Sequence, residues 1–153
     1  MFDGNLAFTA IYDTLTDDDT LMGYVTAVIE GIYPREENSA SEPPADAYPF
    51  VNMVPQTQTP MYYNGHAVAK IDGNIAVYGI QRFDGNGSYG GTLGAIAERI
   101  DELLHGQRIK VYEDDVEIGC VYIYRESLIR ERFIDNVEYR YLGGLYQVSS
   151  NEK

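Results

Sequence analysis

Hydrophobic alternation runs from Ala67 to Gly79 and then changes period, which leaves few folds open. Every second residue in that run (Ala67, Ala69, Ile71, Gly73, Ile75, Val77, Gly79) is apolar or glycine. Strand side chains alternate between faces, so these form one row that must face a core. The opposite row begins polar, with Val68 the exception among His66, Lys70, Asp72 and Asn74, and turns apolar at Ala76, Tyr78 and Ile80. The strand is therefore expected to enter a sheet only in its second half. Asp84-Gly85-Asn86-Gly87-Ser88-Tyr89-Gly90-Gly91 follows, too rich in turn formers for helix or strand. Beyond it Leu93, Ile96, Ala97, Ile100, Leu103 and Leu104 recur at helical spacing. Gly106 is placed to end that helix as a left-handed cap.

A strand, a glycine-rich turn and a helix in that order invite a phosphate-binding reading. Gly85 to Thr92 reads G-N-G-S-Y-G-G-T, but Gly91 stands where a phosphate loop needs its lysine. Without that ammonium the terminal phosphates lose their main counter-charge, although the backbone amides could still cradle an anion. Asp84, Asn86 and Ser88 resemble the start of a calcium loop. Tyr89 in place of glycine and Ala95 in place of a bidentate glutamate deprive it of its turn and its strongest ligand. Asn86-Gly87-Ser88 also fits a glycosylation acceptor, and nothing else in the sequence signals secretion. The expectation is a structural turn, with no cofactor and no metal.

Charge bounds the partners. In 153 residues, 24 acidic against 11 basic side chains give −13, which argues against binding DNA through phosphate neutralisation and against an anionic membrane surface. Fourteen tyrosines with no tryptophan suggest amphipathic surfaces made for contact. The sole cysteine, Cys120, lies in an apolar run, so no internal disulfide is available and a reducing compartment fits. No signal peptide, bilayer-length apolar run or basic targeting tail is present.

Other elements follow from the same cues. Leu6 to Leu15 reads as a short helix, and Asp17-Asp18-Asp19 as the start of another around Leu21 to Val25, with capping favoured over a metal site because adjacent residues there point apart. Val28 to Tyr33 is a strand, Arg35 to Ala47 a loop, and Tyr48 to Val54 a strand broken by Pro55. Gln56 to Gly65 is a polar excursion whose tip, Met61, Tyr62 and Tyr63, suggests a partner. Arg108 to Tyr112 and Val116 to Tyr124 are strands around an acidic turn, Glu113, Asp114, Asp115 and Glu117. That turn is either solvated surface or, less simply, a metal site. Arg125 to Arg132 then concentrates charge, and Arg125, Arg130 and Arg132 can meet an acidic neighbouring subunit or merely Glu126 and Glu131. Val137 to Val148 is the last strand, with Gly143-Gly144 marking a bulge or bend. The fold class expected is α+β: an antiparallel or mixed β-sheet with one long amphipathic helix packed on a face and short N-terminal helices.

Catalysis finds no support in this pattern. His66 and His105 stand apart without an evident partner, and no serine or cysteine has a base and an oxyanion site in its neighbourhood. What does emerge, in order, is the Leu6 to Leu15 helix with Asp18-Asp19, the Val28 to Tyr33 strand and Tyr48-Pro49-Phe50-Val51. Ile75-Ala76-Val77-Tyr78-Gly79-Ile80 follows, leading to the helix Gly94 to Leu104, and then Arg140-Tyr141-Leu142 through Tyr146-Gln147-Val148. This layout resembles the tail completion or tail terminator proteins of long-tailed bacteriophages across about the full chain, departing in the Arg35 to Ala47 loop and the Met61 to Gly65 tip.

The resemblance implies a single domain over residues 1–153 and a homo-oligomer, a six-membered ring. That ring would cap the tail tube, meet the tail tube protein and a head-completion or neck protein, and let DNA pass without specific binding. It implies a place in the virion tail or neck after assembly in the host cytoplasm, no membrane partner and no enzyme activity. A lumen crossed by DNA should be acidic, and the Glu113, Asp114, Asp115 and Glu117 turn or the Glu36-Glu37 loop are the candidates. The runner-up is another neck ring, a head–tail connector or stopper. The competitor of a different class is a small acidic anion- or nucleotide-binding protein using Gly85 to Thr92.

Overall fold

The computed structural model describes residues 4–30, 47–63, 66–83, 92–135 and 137–152. In chain order they form α1 (Gly4–Thr16), α2 (Asp19–Met22), β1 (Val28–Glu30), β2 (Phe50–Tyr63) and β3 (His66–Phe83). Then come α3 (Thr92–Leu104), β4 (Gln107–Glu113), β5 (Val116–Asp135) and β6 (Val137–Glu152). One six-stranded sheet takes the order β1-β2-β3-β6-β5-β4. Only β1 and β2 run parallel; the other pairs are antiparallel. The sheet curls into a half-barrel.

This corrects the α+β expectation. Strands of 14, 18, 20 and 16 residues dominate, whereas the predicted long helix has 13, the same as α1. At 1.5 Å per residue such a helix is about 20 Å long, while a 20-residue strand spans about 65 Å. Among the described residues no long helix covers a face; the molecule is mostly β with short helices tucked against a curled sheet.

Those helices share one core with the strands. Ala7, Ile11 and Leu15 of α1, Leu21 of α2 and Ile96, Ile100 and Leu104 of α3 bury with Val51, Met53, Ile75, Val77, Val121, Ile123 and Tyr146. The other face holds a second cluster, Phe50, Ala76, Tyr78, Ile80, Tyr139 and Tyr141. Asn52, buried there, donates to the Tyr78 hydroxyl at 3.2 Å. The change of the β3 polar row at Ala76 therefore marks where its second face becomes buried. The first half of β3 is strand too: it pairs with β2 from His66 and gains β6 only from Asp72.

Gly143-Gly144 is not a bulge. The β3–β6 register runs through it unbroken, and the shift falls in β5 between Arg125 and Ser127. A Cβ on Gly143 would stand 2.2 Å from the Val77 carbonyl oxygen and 2.4 Å from Tyr78 Cα, so glycine is there for close strand approach. Gly106 does end α3 in the left-handed region, φ 71°.

Two further boundaries differ. Pro55 does not end β2, and Gln56 to Tyr63 is strand, not excursion. Register shifts sit beside Pro55 and Pro60, and among the described residues no strand lies outside β2 beyond Met53, so the missing amides interrupt no ladder. Arg125 to Arg132 belongs to β5, which continues past Tyr124 to Asp135. The Arg35 to Asp46 part of the predicted loop and the turn over residues 84–91 lie outside the described residues.

Candidate assembly surfaces

The acidic turn closes the β4–β5 hairpin. Asp114 and Asp115 take φ of 50° and 64°, the mirror-image turn whose twist matches two antiparallel strands; aspartate is one of the few residues that tolerates it. Glu113, Asp114 and Asp115 are exposed. Glu117 is different: its carboxylate stands 3.4 Å from Lys110 Nζ across the hairpin and is only 20 % exposed. The acidic turn thus consists of three exposed carboxylates at its tip and one, Glu117, in a cross-strand ion pair.

Arg125 faces its own chain. Its guanidinium lies 3.3 Å from Asp101 of α3, and its backbone amide donates to His105 Nδ1 at 2.9 Å. Tyr146 Oη donates to the same Asp101 at 3.1 Å, and burial, reinforced by that carboxylate, pushes the phenol well above its usual range. Asp101, His105, Arg125 and Tyr146 therefore latch the end of α3 onto the β5 bulge. The His105 ring also meets Tyr124 edge-on, with centroids 6.1 Å apart.

Further along β5, Leu128, Arg130, Arg132 and Ile134 fall on one face by register, and Leu128, Arg132 and Ile134 are exposed while Arg130 is exposed too. Arg132 Nε is 3.3 Å from Glu138 Oε1. Glu138 is held more fully by Arg140, whose Nε and Nη2 donate at 3.1 and 3.2 Å and keep the carboxyl below its ordinary range. Arg140 in turn stacks 4.2 Å over the Phe83 ring. Of the Met61, Tyr62 and Tyr63 tip, the backbone alone is described: Tyr62 stands opposite Ala67 and Tyr63 opposite His66 at the end of the β2–β3 hairpin.

Two shallow grooves were not anticipated. Tyr122 and Tyr124, with Ser149, Ser150 and Asn151, line one of about 340 Å³ on the lower β5–β6 surface. Leu6, Asp13, Asp17, Lys110 and Tyr112 belong to another of about 290 Å³ between α1 and β4. The signal for the first was present in the alternation of Tyr122 and Tyr124 within a strand whose other row is buried. The second needed the tertiary placement of α1. Cys120 is buried and accepts from Arg108 Nε at 3.3 Å. Among the described residues no His, Cys, Asp and Glu cluster could hold a metal ion, and no helix is long and apolar enough to cross a membrane.

A chain of the solved virion of the native gene transfer agent particle has a similar fold. Its TM-score is 0.64 at 17 % sequence identity, over 95 % of this chain and 93 % of that one. No protein-family model and no curated protein sequence matches.

Proposed function

We propose that this protein is a structural virion component, a tail terminator whose copies form a ring, six-membered by resemblance, that caps the tail tube and joins it to the head. The observation that carries the reading is the likeness in fold to a virion chain over nearly the full length of both, 95 % and 93 %. The tail-terminator layout of the sequence supports the finer assignment, and the whole of residues 1–153 acts in it as one subunit. The acidic β4–β5 tip, Glu113, Asp114 and Asp115, is assigned to the lumen, because carboxylates leave a passing duplex hydrated where lysines would grip it through counterion release. Tyrosine-rich and basic surfaces on β5 are assigned to neighbouring proteins.

Particles made without this protein test the reading. If it caps the growing tube, its absence should leave tails of uncontrolled length that do not join heads, whereas a connector or stopper role predicts tails of normal length and heads that fail to retain DNA. Intact, infectious particles would sink both.

A further inference from the structure

We propose that copies of this chain join edge to edge, the outer stretch of β5 in one copy pairing antiparallel with β1 of the next, with Arg132 set against Glu30. This rests on the ring reading and deepens it by naming the seam. β4 stops opposite Ile123, so beyond Tyr124 no described strand lies outside β5, although β6 accompanies it to Asp135. Such an edge offers a row of backbone donors and acceptors to another strand. It has no proline, and its Leu128 and Ile134 are 59 % and 61 % exposed. At the other end of the sheet β1 is likewise bare on its outer side among the described residues.

Direction and face agree, and the registers set the offset. β1 lies beside Val51 to Met53, which lie beside Val77 to Gly79, then Leu142 to Gly144, then Leu128 to Arg130, so Glu30 is level with Leu128 and pairing it with Arg132 slides the next copy about four residues, roughly 13 Å, along the strands. Three antiparallel steps separate β2 from β5, and β1 is parallel to β2. Laid side by side with the same face inward, β5 of one copy therefore opposes β1 of the next in direction. Glu30 shares the face of Val28 and Met53, which belong to the helix-side core, and Arg132 is on that same face by its register with Arg140 and Tyr146. Pairing Glu30 with Arg132 then sets Val28 beside Ile134, an acid on a base and an apolar side chain on an apolar one.

Charge supports this occupant. Arg132 is 58 % exposed beside a Glu138 that Arg140 already holds, and Glu30 is exposed. In a chain of 24 acidic and 11 basic residues, a second copy is the complement that a basic edge selects. Because the contact joins opposite ends of one sheet, it has no two-fold axis and repeats until it closes.

The test is a chain carrying Glu30→Cys and Arg132→Cys together, treated with a short bismaleimide. Cys120 is 4 % exposed, so the unaltered protein serves as the control. The expected result is a ladder of linked copies ending at one closed size, with no ladder from either single variant. Separately, Arg132→Glu should raise the concentration needed for assembly about tenfold, and adding Glu30→Arg should restore it. Normal oligomers by native mass spectrometry with neither linking nor charge rescue would overturn the seam and leave the ring reading standing. A chain that stays monomeric at every concentration and on isolated tail tubes would overturn both.

Discussion

Asp18 holds two structures at once. It caps α2, Oδ2 accepting the Leu21 amide at 2.8 Å, and it receives Arg99 Nε and Nη2 at 2.8 and 2.6 Å, so the start of α2 is tied to the flank of α3. The Arg99 hydrogen bonds are the main reason its carboxyl titrates below the usual range. Asp18→Ala should cost about 1–2 kcal/mol in denaturant unfolding. Since the folded form holds the proton more weakly than the unfolded chain, that increment is complete above about pH 4 and fades as pH falls through the native value. The gap between wild type and variant should therefore narrow as pH falls below about 4; a gap that does not change with pH would refute the pairing. That these aspartates begin a helix was legible from sequence, but Arg99, 81 residues away, was not. Gly143 shows the same limit. In sequence Gly143-Gly144 reads as a bulge or bend, yet the reason for glycine is a backbone brought 2.2 Å from where a Cβ would stand. Gly143→Ala should cost about 3 kcal/mol by overpacking, read as a shift of the unfolding midpoint.

At the scale of elements, what was legible was whatever kept its period. β3, α3, α1 and the Asp114-Asp115 hairpin keep theirs, and each lies where the pattern put it. β5 loses its alternation at the Arg125 to Ser127 shift, where one extra residue moves the following side chains to the other face. The run of charges past that point carries no strand signal, although it is paired with β6 to Asp135. Arg125 was open in sequence to an acidic neighbour or to Glu126 and Glu131, and the partner it does have, Asp101 on α3, is invisible from β5. Tyr146→Phe removes the hydroxyl that joins this latch and should cost about 1 kcal/mol, whereas Ile100→Ala, in the core beneath it, should cost about 3 kcal/mol. Calorimetric melting separates the two. Replacing Asp114-Asp115 with Asn-Gly relieves two positive-φ aspartates and should stabilise the hairpin by about 0.5–1 kcal/mol.

For the molecule as a whole, the sign of the charge is a transport property. If the β4–β5 tip faces a DNA path, replacing Glu113, Asp114 and Asp115 with lysine should leave assembly intact and slow genome release, most of all at low salt. Release at the normal rate in otherwise intact particles would remove the tip from that path. The two rims of the sheet differ in a way that bears on the free subunit. Pro55 and Pro60, each beside a register shift, lie on β2 beyond Met53, where no described strand flanks it and an unprotected strand would template its own kind. Two missing backbone donors blunt that edge as a template, so the free subunit should stay dispersed at high concentration. Exchanging both prolines for threonine should leave the fold in place yet produce thioflavin-positive aggregates on standing, while the parent protein stays clear.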